Sequence, residues 1–310
     1  MRRVRILGLC LVAAFALAAV GASSALAAVK NPTKSRKIFD NCPVGVEVET
    51  GPGEFDATEL CVFGATEPTE GGQFTVGPIT VPIVKQISLQ YGLTYNPNNS
   101  EAGFFYVPPA HGAPAITPAS EPVPGEPIAN ITPAEQEELG WPESLKYSYA
   151  QAQKHHTVKK VYEAIEQAGD PVTNPTNLLT ETGTAVEAPV KIKGENKWLS
   201  QLGDVCYIGS NEAPIVQHLT SGESESPLTH EVLHGSKGEF LVEHEGQELI
   251  LPHSNLIDNT YAVPGANCTG PYSAAIAATI DKEFDIPQPA GASVTEIKGT
   301  LYNAVPALLE

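Results

Sequence analysis

The run GQFTVGPITVPIVKQISLQYGL, residues 72–93, decides how the chain is read. It is the longest stretch of residues that favour a pleated surface. Phe74, Val76, Ile79, Val81, Ile83, Val84, Ile87 and Leu89 supply its apolar positions. Gly77-Pro78 interrupts it, and such a pair marks a turn. The run therefore predicts two or three short strands. It is a sheet nucleus and carries no catalytic pattern.

Before it, Val44, Val46 and Val48 alternate with Gly45 and Glu47, the period of a half-buried strand. Gly51-Pro52-Gly53 turns the chain, and Leu60-Cys61-Val62-Phe63-Gly64 returns, placing Cys42 and Cys61 on neighbouring strands. After it, residues 108–142 hold nine prolines and little apolar periodicity, which predicts a surface loop or an extended excursion. Residues 143–156 read as helical or irregular. Residues 157–168 fit two periods: Val158, Val161 and Ile165 have helical spacing, while Val161, Glu163, Ile165 and Gln167 alternate as in a strand.

Strands are expected at 186–192, 204–208, 214–220, 238–243, 247–252, 257–263 and 293–303. Val81-Pro82, Ala188-Pro189 and Ala213-Pro214 share a form that places a proline at the first residue of a strand, where a missing N–H is tolerated. The clearest helix is PYSAAIAATIDKEF, residues 271–284, with proline at its start and four alanines. The expected architecture is mainly β: a sandwich or distorted barrel with a short late helix and the proline-rich excursion. Residues 28–310 are read as one domain, with a sub-boundary in the excursion left open.

Residues 1–27 read as an export signal. Arg2, Arg3 and Arg5 form a basic head, residues 6–20 an apolar core too short to span a bilayer, and Ala25-Leu26-Ala27 a cleavage pattern. Cys10 lies early in that core and marks no lipid anchor. The formal net charge is −18, and removal of the three arginines leaves −18 − 3 = −21. So acidic a chain repels phosphate backbones, so nucleic acid is not an expected partner. No membrane span is expected in the mature chain.

Four cysteines remain beyond Cys10, and in an exported chain they imply two bridges. Cys42–Cys61 and Cys206–Cys268 each bracket a hairpin-like segment and are the chosen pairs. On the loop-entropy model these closures contribute about 3 and about 4 kcal/mol. Their spacings match no zinc pattern.

One sharp motif stands out. His230-Glu231-Val232-Leu233-His234 matches H-E-x-x-H. On a helix the two imidazoles share a face and can ligate zinc, with the glutamate acting on a bound water. Glu239, Glu243, His244 and His253 are candidate third ligands. Pro227 and Gly235 leave barely two turns for such a helix, and the surrounding segments read as strands. If the pentapeptide is extended, its histidines lie about 13 Å apart, too far for one ion. No metal and no cofactor are therefore expected. No G-x-S-x-G, P-loop or G-x-G-x-x-G occurs, and the bridged cysteines leave no thiol nucleophile. His155-His156, beside Lys154, Lys159 and Lys160, reads as a solvated basic patch. Asp204, Asp258 and Asp281 read as single carboxylates.

From Cys206 on, the chain resembles a group of uncharacterised exported proteins of high-GC Gram-positive bacteria. The shared words are Cys206-Tyr207-Ile208-Gly209-Ser210, Pro214-Ile215-Val216, Leu219-Thr220-Ser221-Gly222, NLIDNTYAVP (residues 255–264), Gly265-Ala266, Cys268 and Pro289-Ala290-Gly291. Asn41-Cys42-Pro43, Gly72-Gln73-Phe74, Val81-Pro82-Ile83 and Ser88-Leu89-Gln90 extend it over most of the mature chain. The resemblance implies the same cysteine pairing and a strand at 157–168. It carries no known activity, and the histidine pair is not part of that group's pattern.

The leading functional expectation is a secreted, non-enzymatic extracellular or envelope-associated module that binds or structures something. The alternatives are a zinc-dependent hydrolase using His230, Glu231 and His234, and a carrier of apolar ligands, which needs an enclosed apolar cavity.

Overall fold

The computed structural model describes residues 37–51, 53–95, 104–174 and 177–309. The expected export signal lies outside them. A hairpin comes first, β1 (Glu47–Gly51) with β2 (Glu54–Ala57). The alternation from Val44 predicts an earlier strand, but Val44 and Val46 instead hydrogen-bond within a turn, to Cys42 and Pro43.

Nine strands form one antiparallel sheet. They are β3 (Leu60–Thr66), β4 (Gly72–Val76), β5 (Ile79–Pro82), β6 (Ser88–Tyr95), β7 (Phe104–Val107), β8 (Ile116–Thr117), β17 (Leu241–Glu243), β18 (Glu248–Asp258) and β20 (Val294–Ala304). The run at 72–93 thus gives three strands, with the turn at Gly77-Pro78 as expected. Strands β3 and β4 lie end to end along β20, whose residues 299–304 pair with β3 and 294–297 with β4. Gly72, at a positive φ of 102°, makes this fit: a Cβ there would collide with the carbonyl of Glu296.

Seven strands form the second sheet. They are β9 (Ser120–Pro122), β10 (Val161–Gln167), β11 (Val172–Thr173), β12 (Val186–Asn196), β13 (Val205–Ile208), β14 (Ile215–Leu219) and β19 (Ala266–Thr269). A separate hairpin joins β15 (Glu223–Glu225) to β16 (Val232–His234). One buried cluster takes Phe74, Val81, Leu251 and Leu256 from the large sheet and Ile165, Val186, Val190 and Ile215 from the small one. The fold is mainly β and sandwich-like. Among the described residues no sheet closes, so the barrel alternative falls away.

Residues 157–168 are strand β10, with Val161, Ala164 and Ile165 buried. The late helix is present as α5 (Ser273–Phe284). Helices that periodicity does not reveal also occur: α1 (Pro133–Glu138), α3 (Asn177–Thr180) and α4 (Lys197–Leu202), beside α2 (Glu143–Lys154) at the segment read as helical or irregular. Two of them, α1 and α4, are short and have side-chain caps. Thr132 and Glu135 form a capping box on α1, and Asn196 accepts from Trp198 N and Leu199 N on α4. Their aromatic residues meet in one corner, where Trp141, Tyr149 and Trp198 have ring centroids 5.1–5.9 Å apart.

Three expectations need correction. The proline-rich segment is no excursion, since it gives β8 to the large sheet and β9 to the small one and so straps the two together. Residues 248–258 are one strand, so the expected strands at 247–252 and 257–263 merge and 259–263 is irregular. The ladder slips between Leu251 and Ser254, at Pro252-His253, and the proline hides the continuity. Of the three prolines, only Pro214 directly precedes a strand. Pro82 ends β5, and Pro189 lies inside β12, opposite Val216 of β14, with its carbonyl accepting from Ala168 N just past the end of the β10 ladder.

Both disulfides have the expected pairing, Cys42–Cys61 and Cys206–Cys268. Cys206 and Cys268 are direct cross-strand partners on β13 and β19. Cys42 lies in a turn and not on a strand, packed with Phe39 and Phe63 against β3.

Candidate functional site

The H-E-x-x-H pentapeptide forms a turn and a strand. Ser226 organises the turn: its hydroxyl accepts from Leu228 N and Thr229 N at 3.2 and 3.0 Å, and its backbone N–H donates to Glu231 O at 2.9 Å. His230 sits in that turn at φ 60°, and His234 ends β16. Each imidazole turns to its own carboxylate on β15. His230 Nδ1 is 3.2 Å from Glu225 Oε1, and His234 Nδ1 is 3.5 Å from Glu223 Oε1, with side chains 78% and 69% exposed. The pentapeptide is a solvated turn running into a strand, and no helix brings its two imidazoles together.

The candidate third ligands scatter. Glu239 is exposed, and His253 lies 3.7 Å from Glu67. Glu243 and His244 meet a residue that motif reading did not single out, Glu248. The single carboxylates serve the backbone. Asp258 accepts from His218 N at 2.6 Å and Thr260 N at 2.7 Å, Asp281 from Ala266 N at 2.6 Å, and Asp204 from Tyr272 N at 3.2 Å. His155 and His156 are exposed at the end of α2.

An apolar cavity lies between the sheets. Val62 on β3, Tyr91 on β6 and Leu301 on β20 face Ile165 on β10, Ala188 on β12 and Leu219 on β14. They leave about 120 Å³ open to the centre of a water-sized sphere, lined almost wholly by apolar atoms. That is room for several waters with few partners for any of them, so such a space stays dry. The polar groups at its margin are already engaged. Thr173 Oγ1 donates to Tyr91 Oη at 2.7 Å, and Gln217 Nε2 donates to Thr295 Oγ1 at 2.8 Å. Burial raises the Tyr91 hydroxyl's pKa, so it stays neutral.

The cavity adjoins a polar trough on the surface, with Ile116, Gln167 and Gly169 common to both walls. Glu166, Asp170 and Asn211 line the trough's outer part. Gln167 Oε1 accepts from Ala115 N at 3.1 Å, tying the strap of residues 108–142 to β10 at this mouth. Periodicity does not expose such a site, because each lining residue reads as ordinary core in its own strand.

A second buried feature is an acid pair. Glu163 on β10 stands directly opposite Glu121 on β9, and both are buried. Glu121 accepts from Lys85 N at 2.7 Å and Val84 N at 3.2 Å. Burial, and then the Glu121 charge, push the Glu163 carboxyl up to about 8.

No family model, curated protein or solved structure matches this chain. The site is therefore read from its own geometry.

Proposed function

We propose that this is an exported binding protein that carries an apolar ligand between its two sheets. The observation that carries the reading is the apolar cavity opening toward the trough at Gln167 and Gly169. Leaving about 120 Å³ empty costs on the order of 3 kcal/mol, a sizeable share of the net stability of a typical domain. A ligand that fills the space recovers that cost and the dispersion contacts the walls lack. Glu166, Asp170 and Asn211 then receive whatever polar end the ligand keeps in water. Export is supported by Arg2, Arg3 and Arg5 ahead of an apolar core, and by two disulfides, which persist in oxidising compartments. Among the described residues no helix is long and apolar enough to cross a membrane.

The test is to purify the protein from its exporting host, extract it with organic solvent and weigh what is released. Apo protein is then titrated with cis-parinaric acid, a fluorescent long-chain acid. Released lipid or saturable probe binding is expected, with at least a tenfold loss of probe affinity in Ala188→Leu, which fills the cavity from β12. An empty extract together with no saturable binding overturns the reading. So does a folded Ala188→Leu protein that binds the probe as tightly as wild type.

A further inference from the structure

Three carboxamide side chains line the inter-sheet cavity among the described residues: Gln167, Gln217 and Asn303. Two of them bind the protein itself. Gln167 Oε1 accepts from Ala115 N, and Gln217 Nε2 donates to Thr295 Oγ1. Asn303, in the wall formed by β20, differs. Its carboxamide makes no hydrogen bond with any described residue, yet Asn303 is only 7% exposed. Buried polar groups nearly always have a partner, because an amide that has left water without one is costly.

Strand register aims this amide inward. Side chains alternate between the two faces of a strand, and Ile297, Gly299, Leu301 and Asn303 all line the cavity from β20. A row crosses the sheet from Leu301 to Gly64 on β3, Leu89 on β6 and Ile116 on β8. Ile116 belongs to the mouth that the cavity shares with the trough. At about 4.8 Å between neighbouring strands, β20 lies about 14 Å from β8. Asn303 therefore sits at the inner end of the space, far from the polar groups of the trough. Among the described residues that line the cavity there is no Asp, Glu, His, Lys or Arg. A ligand charge buried there would have no counter-charge, a heavily penalised arrangement.

We propose that Asn303 determines the specificity of the cavity by hydrogen-bonding an uncharged oxygen, a hydroxyl or a carbonyl, at the buried end of an apolar ligand. A carboxamide carries two donors and an acceptor, so it serves either group. The inference rests on the carrier reading above and adds the ligand's chemistry to it. A plain hydrocarbon leaves the amide unpaired, and a charged end is confined to the trough.

The test compares naphthalene, 2-naphthol and 2-naphthoate, one apolar frame bearing no polar group, an uncharged hydroxyl or a carboxylate. Each is titrated by calorimetry into the intact apo chain and into Asn303→Leu, which keeps a side chain of similar shape and removes the amide. In wild type 2-naphthoate is expected to bind most weakly. Asn303→Leu should weaken 2-naphthol at least tenfold, since a site built to pair a hydroxyl discriminates through that bond. It should bind naphthalene as tightly as wild type or more so. Circular dichroism establishes that the variant is folded, and Asn303→Val takes its place if it is not. Equal changes for 2-naphthol and naphthalene overturn the proposal and leave the carrier reading standing. So does a wild type that binds 2-naphthoate more tightly than 2-naphthol. A wild type that binds neither naphthalene nor cis-parinaric acid overturns the carrier reading, and this proposal with it.

Discussion

Two neighbouring hairpins, β15–β16 and β17–β18, are both built from glutamates and histidines, and they behave oppositely. The first carries a five-residue zinc signature and spreads it out. Its rings are solvated, and each pairs with its own glutamate at 3.2 or 3.5 Å. The second matches no signature and draws two glutamates and a histidine into one half-buried knot. Spacing along the chain selects ligands four residues apart only when the backbone is helical, because a helix puts them on one face about 6 Å apart, whereas a strand puts them on one face about 13 Å apart. In a hairpin, ladder register and turn geometry choose the neighbours. Burial then decides the energy: exposed pairs contribute little, while buried carboxylates must be neutralised.

A third acid pair sharpens the contrast and gives the largest expected effect. Glu121 and Glu163 face each other as Glu243 and Glu248 do, but here repulsion is relieved by a proton on Glu163, whose pKa is pushed up to about 8. The folded value lies above the ordinary 4.5, so the folded chain holds a proton that the unfolded chain has released. Stability from this group is full below about pH 4.5 and is lost as pH rises toward about 8. At about 1.4 kcal/mol for each tenfold in proton affinity, the loss amounts to several kcal/mol. Denaturant unfolding of wild type and Glu163→Gln across that pH range should show the decline in wild type and a flatter profile in the variant. Parallel profiles would remove the proton from this account.

Next in size is the staple around both hairpins. The Cys206–Cys268 bridge, with a sequence separation of 62, encloses them. Replacing both cysteines by serine should cost about 4 kcal/mol, and the Cys42/Cys61 equivalent about 3 kcal/mol, read from denaturant midpoints.

The smallest effect belongs to the motif itself. His230→Ala should leave stability within about 0.5 kcal/mol of wild type, because an exposed ion pair holds little energy. A larger loss in thermal melts would mean that the solvated hairpin bears structural weight.

Much of the fold is legible along the chain. The alternation and the Gly77-Pro78 break in residues 72–93 mark β4, β5 and β6, and the alanines of residues 271–284 mark α5. The merger of two expected strands into β18 is not legible, because Pro252 signals a break where the sheet accommodates a slipped register. Helices α1 and α4 are too short to show a period and depend on caps at Thr132 and Asn196. Of the candidate sites, Glu243 and His244 could be noticed as ligand types, but Glu248 had no motif to mark it. The cavity had no signal at all, since Ala188 and Leu219 look like any other core residues in their strands.

By itself the sequence determined the β character and the turn positions, and it favoured the observed cysteine pairing among three possible ones. These depend on side-chain period, on glycine and proline chemistry and on cysteines that bracket hairpins, all of which act within a short span of chain. Only the tertiary structure decided that Glu121 meets Glu163, that Glu243 and His244 meet Glu248, and that the sheets leave a gap beneath Leu301. Charge pairing and packing are settled by register between strands and by the summed volumes of facing side chains, and no local propensity fixes either.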